Sequence, residues 1–181
     1  MRIRPIIAVG ILALLAQCTS PKATTYEPQR GSTYPTYKHP KLGIEITRAE
    51  DPKLIDEVAS WMGTPYKSGA AQKHRGTDCS GFTQSVYRTV YAMQIPRTSG
   101  EQAKCINPVS PKNLKCGMLL FFKIDGRHVT HTGIYIRNGY FVHSAYSKRQ
   151  GIRVDNIFTN PYYQKTFYNG GWPKKMIVDS E

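Results

Sequence analysis

An α+β fold is predicted, with helices first and an antiparallel sheet after them. Three observations predict it. Apolar residues recur at helical spacing over residues 52–61 and again over 80–93. Strand-like runs rich in β-branched and aromatic residues follow at 117–123, 129–137, 140–146, 152–154 and 175–178. Asn138-Gly139, between two of these runs, is a two-residue hairpin signal and makes that pair antiparallel. Helices grouped ahead of strands, rather than alternating with them, are the α+β order. The 181 residues suit one domain with a sizeable core and are too few for two comfortable ones.

From the N-terminus, Met1-Arg2-Ile3-Arg4 is a short basic start, and residues 6–16 are almost wholly apolar. A basic start and a short apolar run make a secretory signal, too short to span a bilayer. Leu15-Ala16-Gln17-Cys18 resembles a bacterial lipobox, in which the cysteine takes the lipid and becomes the new terminus. Gln17 departs from that pattern, which favours a small residue before the cysteine. The competing reading is ordinary signal cleavage with Cys18 incidental. Thr19 is not the aspartate that resembles an inner-membrane retention signal in enteric bacteria, which favours the periplasmic face of the outer membrane. The next stretch is rich in Thr, Ser, Pro, Lys and Gly and reads as a flexible tether. The expected division is a signal at 1–17, a lipidated terminus and tether at 18–45, and one folded domain at 46–181.

The formal charge is +13, falling to about +11 without the signal segment. A basic chain is drawn to polyanions. No basic helical stripe and no nucleic-acid motif occur, so no nucleic-acid partner is expected. No C-x2-C or H-E-x-x-H spacing occurs either, so neither a metal nor a cofactor is expected.

Besides Cys18, the cysteines are Cys79, Cys105 and Cys116. Cys105 and Cys116 lie in loop-like sequence with Pro108 and Pro111. A disulfide between them would staple that loop, and the sequence leaves both states open. Cys79 is then a leftover thiol in an oxidising compartment, for which nucleophilic chemistry is one reason.

Around Cys79 the chain reads Thr77-Asp78-Cys79-Ser80-Gly81-Phe82. Thr77 and Asp78 are good helix N-caps, and Phe82, Val86 and Val90 mark one helix face. Cys79 therefore falls in the first helical turn, where the helix dipole is expected to lower a thiol's pKa. A small buried residue at a helix start explains the same pattern equally well. A cysteine nucleophile needs a base, and that base needs a third group to fix its tautomer. His131 and His143 lie in the two strands flanking Asn138-Gly139. A plain two-residue hairpin sets His143 against Ile134, three residues from His131, so simple pairing does not join the two rings. A bulge or another register would.

Asp78-Cys79-Ser80-Gly81-Phe82, His131-Thr132-Gly133-Ile134-Tyr135 and Phe141-Val142-His143-Ser144-Ala145 resemble, in order, the nucleophile, base and third-residue motifs of the NlpC/P60 family. Gly63-Thr64-Pro65-Tyr66, Ile95-Pro96-Arg97-Thr98-Ser99 with Gln102, and Cys116-Gly117-Met118-Leu119-Leu120-Phe121-Phe122 resemble further segments of it. The resemblance covers residues 50–175. Met118 and Cys116 stand where the family usually has aspartate and proline, and Ser68 and Ala70 replace a common Trp and Gly, which touches substrate preference.

The resemblance implies a papain-like fold and a cysteine peptidase of cell-wall peptidoglycan. It would cut the D-γ-glutamyl-diaminopimelate or D-Ala-diaminopimelate bond of stem peptides or crosslinks. It implies Cys79 as nucleophile, His131 as base and His143 as orienting group, with Tyr66 at the oxyanion. Asp78, Ser80, Arg97, Ser99 and Gln102 would bind substrate or support the cleft. The rival base is His128, which lacks the following Gly-Ile-Tyr. A monomer is expected, held to the membrane through its lipid. The competing functions are a wall-binding module that keeps the fold, a thiol acyltransferase of the wider superfamily, and a purely structural lipoprotein.

Overall fold

The computed structural model describes residues 35–146 and 151–174. The signal segment, Cys18 and the strand predicted at 175–178 lie outside the described residues. Strands β1 (Thr36–Lys38) and β2 (Glu45–Thr47) pair antiparallel. This corrects the tether expected to reach residue 45. Leu42, Ile44 and Ile46, alternating with Gly43 and Glu45, are buried in the main core. Their apolar area offsets the cost of ordering a segment whose overall composition is polar.

Helix α1 (Pro52–Ser60) starts where Asp51 accepts from the N–H groups of Lys53 and Leu54, with Pro52 at the first helical position. It buries Leu54, Ile55, Val58 and Ala59. Two short strands, β3 (Ala71–Gln72) and β4 (Gly76–Thr77), lead to α2 (Cys79–Tyr91), which ends where Ala92 turns left-handed. Both long helices match the predicted spans to within two residues at each end. The chain continues through α3 (Ser99–Lys104), β5 (Ile106–Pro108), β6 (Leu119–Phe122), β7 (His131–Arg137), β8 (Tyr140–Ala145), β9 (Gly151–Asn156), α4 (Pro161–Thr166) and β10 (Phe167–Pro173).

Six strands form one antiparallel sheet in the order β5-β10-β6-β7-β8-β9. Helices α1 and α2 cover one face, where Leu54, Val58, Phe82, Val86 and Tyr87 pack with Leu119, Phe121, Ile134 and Val142. Leu120, Phe122, Tyr135, Phe141 and Tyr163 form a second cluster. The alternation explains the unbroken Leu-Leu-Phe-Phe of β6, since a strand covered on both faces has no polar side. Strand β10 was not predicted, because Asn169-Gly170-Gly171 carries turn chemistry. Pairing on both sides, with β5 and with β6, makes it a strand.

The β7–β8 hairpin turns at Asn138 and Gly139, both at positive φ (49° and 83°), as a mirror-image two-residue turn requires. Arg137 pairs with Tyr140, but Tyr135 pairs with Phe141 and Ile134 with Val142. Ile136 is thus an extra residue, and beyond it the register has moved by one. A one-residue slip exchanges the faces of every side chain that follows. It sets His143 opposite Gly133 and on the same face as His131.

Candidate active site

The nucleophile wall is built from local contacts. Asp78 caps α2 by accepting from the Gly81 N–H at 2.7 Å, and Cys79 is the first helical residue. The Tyr66 segment zips against the same turn: Tyr66 bridges Thr77, the Thr77 N–H donates to the Pro65 carbonyl, and the Asp78 N–H donates to that of Ala70. That approach requires glycine at position 81, where a Cβ would collide with the Ala70 carbonyl. Arg97 grips Asp78 with two nitrogens, at 2.9 and 2.7 Å, and donates to the Ser80 hydroxyl at 2.9 Å. Burial pushes the Asp78 carboxyl up, but the Arg97 and N–H hydrogen bonds hold it below 3.8.

The base wall depends on register. With the bulge at Ile136, the His131 Nε2 and His143 Nδ1 atoms lie 2.8 Å apart. His143 is fully buried and stacks on Phe141. Gly133, across the hairpin from His143, has no room for a side chain: a Cβ would stand 2.7 Å from the Phe141 ring and 3.0 Å from the His143 Cβ. Ser144, on the opposite face of β8, donates to the Thr77 carbonyl at 2.7 Å and ties this strand to the nucleophile turn.

The walls meet in a cleft of about 570 Å³ lined by Cys79, His131, Tyr66, Tyr146, Arg153 and Tyr163, among others. A second hollow of about 520 Å³ lies on the other side of Cys79 and is lined by Tyr66, Asp78, Ser80, Arg97 and Ser99. Cys79 and Tyr66 belong to both, so a chain laid along the cleft passes over the sulfur.

Electrostatically, burial shifts both groups toward their neutral forms. Burial pushes the Cys79 thiol up, and Asp78 adds to this, while the N–H groups of Thr132 and Ser80 pull down without cancelling it. The expected lowering by the helix start is therefore outweighed, because desolvation penalises the thiolate more than one helix turn favours it. Burial, with His143 and Arg153 nearby, holds His131 well below 6.5. Shifts in these directions, for a thiol and an imidazole lining one cleft, favour general-base chemistry.

Gln102 is a correction among the residues expected to bind substrate. It is 1% exposed, its carbonyl accepts from Thr83, and its amide donates to the carbonyls of Ser80 and Pro96. It braces α2 from behind and does not face the cleft. Ser99 is also largely buried, its hydroxyl 3.3 Å from the Val129 carbonyl, with its edge on the second hollow. His128 is in a loop, exposed and bound to Asp125. Cys105 and Cys116 are free, and burial pushes the Cys116 thiol up to about 12. Asp155 was missed by sequence reasoning, although its Oδ2 lies 2.9 Å from His143 Nε2. The expected strand stopped at Val154, one residue short of it, and the charged alternation of Arg153 and Asp155 was the available signal.

The chain matches the NlpC/P60 family over residues 63–171. It is 33% identical over 174 residues to the Murein DD-endopeptidase MepS/Murein LD-carboxypeptidase of Escherichia coli K12, covering 91% of this chain and 89% of that protein. It is 38% identical over 116 residues to the probable endopeptidase NlpC of the same organism, covering 64% of this chain and 73% of that one. A crystal structure of an NlpC/P60 family protein from Bacillus cereus superposes with a TM-score of 0.61 at 29% identity, over 67% of this chain and 39% of the other. The chain thus spans about two fifths of that longer protein.

Proposed function

The chain belongs to the NlpC/P60 family, and from that premise we propose that it is a peptidoglycan endopeptidase working through a Cys79–His131–His143 thiol mechanism. The observation that carries the reading is the cleft itself: a half-buried thiol at a helix start shares it with an imidazole held at 2.8 Å by a second, buried one. The bond most in keeping with the E. coli relative's name is the D-Ala-diaminopimelate crosslink.

Cys79 attacks the amide carbonyl while His131 takes the thiol proton, in keeping with a thiol pushed up and an imidazole pushed down by burial. The tetrahedral oxyanion accepts from the Cys79 N–H and the Tyr66 hydroxyl, where one donor contributes about 3 kcal/mol. His131 returns the proton to the leaving amine, and the acyl-enzyme remains. Water then attacks with His131 again as base, and the thiol is restored. On the second side of the cleft, Asp78 and Ser80, locked by Arg97, present negative charge to a substrate amine. In the same reading Cys18 carries lipid and holds the enzyme to the periplasmic face of the outer membrane.

The test is digestion of purified diaminopimelate-type peptidoglycan by the chain and by its Cys79→Ala form, with products read by mass spectrometry. New stem-peptide fragments from the first protein alone are expected, with a loss of about a million-fold in the variant, the scale for removing a nucleophile. Equal products from both would sink the thiol mechanism, and none from either would sink the hydrolase reading.

A further inference from the structure

Beyond the paired histidines the hydrogen bonding continues. His143 Nε2 lies 2.9 Å from Asp155 Oδ2. That oxygen also accepts from Arg153 Nε at 2.5 Å, and Asp155 Oδ1 accepts from Asn160 Nδ2 at 3.1 Å. The register brings this about: Phe141 pairs with Asp155 and His143 with Arg153, so the carboxylate is a diagonal neighbour of the ring on the same face.

We propose that Asp155 is a positioning residue that sets the tautomers of both histidines, making the unit a four-member relay of Cys79, His131, His143 and Asp155. This rests on the thiol-hydrolase reading above. A carboxylate only accepts, so His143 carries its proton on Nε2. Its Nδ1 is then a lone pair, which the His131 Nε2–H must face at 2.8 Å. That leaves Nδ1 as the only basic atom of His131, in the cleft it lines with Cys79. The opposite tautomer of His143 would point Nδ1–H at His131, force the His131 proton onto Nδ1 and abolish the base.

The charge acts in the same direction. Burial pushes the Asp155 carboxyl up, but the His143 hydrogen bond and the Arg153 guanidinium more than offset it and hold it below 3.8. Burial lowers His143, and Asp155 opposes that lowering. Among the described residues, the charged and titratable neighbours of the two rings are Asp155 and Arg153 on β9, Tyr163 on α4, and Cys79 on α2. Asp155 is the anion whose hydrogen bond ends on a ring. When His131 takes the thiol proton, the imidazolium is one ring away from that carboxylate. No proton needs to travel further than His131.

Two variants separate the roles. In Asp155→Asn the amide oxygen belongs on the side with two donors, His143 and Arg153, so the tautomer is kept and the charge lost. In Asp155→Ala both are lost. For the full chain, kcat/KM on crosslinked wall peptide is measured against pH, and imidazole 15N spectra report the tautomers. A loss of about tenfold is expected for Asn and about 100-fold for Ala, smaller than for a triad carboxylate that touches the base directly. The acid limb moves to lower pH in both, because an anion that favours imidazolium is gone. His143 is expected as the Nε2–H form in the wild type and in Asn, and as a mixture in Ala. Wild-type tautomers and an unmoved acid limb in both variants overturn the relay, even where activity falls. A wild type that cleaves no wall peptide defeats the hydrolase reading, and the 15N spectra then decide the relay alone. Where Asp155→Ala fails to fold, the Asn variant decides.

Discussion

The two walls of the cleft are each anchored by a half-buried carboxylate gripped by an arginine, and they reach that state by different routes. Asp78 caps the nucleophile's own helix, three residues from its N–H partner, and meets Arg97 from the segment before α3. Asp155 sits on a separate strand from the ring it holds, and is placed there by the registers of two hairpins in succession. The first wall is a local structure reinforced by one long-range ion pair. The second is a chain of long-range placements in which one residue more or less would turn a ring away. Precise placement of a base is the costlier requirement, and the sheet, buried on both faces, is the part of this fold rigid enough to meet it.

The comparison is broken most severely at Gly133. Gly133→Ala places a methyl against Phe141 and His143, so the rings part while the nucleophile turn is untouched. Activity on peptidoglycan is expected to fall by about 100-fold or more, as a misplaced reacting group implies, with about 1–3 kcal/mol lost on thermal unfolding. Full activity in this variant would mean that the base wall tolerates the shift.

A pH profile sharpens the contrast between the walls' resting charges. With His131 held well below 6.5 and the Cys79 thiol raised above 9.0, kcat/KM is expected to stay level through neutral pH. Its acid limb lies below 6.5 and its alkaline limb above 9.0, since free-enzyme ionisations set the limbs. An acid limb at or above 6.5 would show that burial does not depress His131, and an alkaline limb below 9.0 would show that the thiol is not raised.

The smallest effect concerns the ion pair of the nucleophile wall. Asp78 is held below its unfolded value of 3.8, so its stabilisation is fully present above that pH and is lost as pH falls through the lower, folded value. Arg97 is more than one third exposed, and solvent screening leaves about 0.5–1 kcal/mol for the pair. Arg97→Ala is expected to unfold more easily by that amount at neutral pH, and the gap between variant and wild type is expected to narrow as the pH drops below 3.8. A gap that does not change with pH would remove the ion pair as its cause.

Local chemistry made much of this molecule legible in its sequence. An N-cap followed by Phe82 and Val86 at helical spacing marks α2, and Asn138-Gly139 marks the turn between the histidine strands, because a cap and a mirror-image turn each depend on a few adjacent residues. The order of Cys79, His131 and His143 was legible through the resemblance of the short runs around them to the NlpC/P60 motifs. Elements whose existence depends on distant partners were not. Strand β10 is a strand only because β5 and β6 flank it, and the β1–β2 hairpin folds only because its apolar residues find the core. The bulge at Ile136 has no local mark at all, and on it depends whether the two rings share a face. The thiol's resting charge and the placement of Asp155 follow in turn from burial and register. Sequence by itself determined which chemical groups this protein carries and in what order. Tertiary structure decided which of them meet, because a one-residue register costs the chain little locally and changes the face of every side chain beyond it.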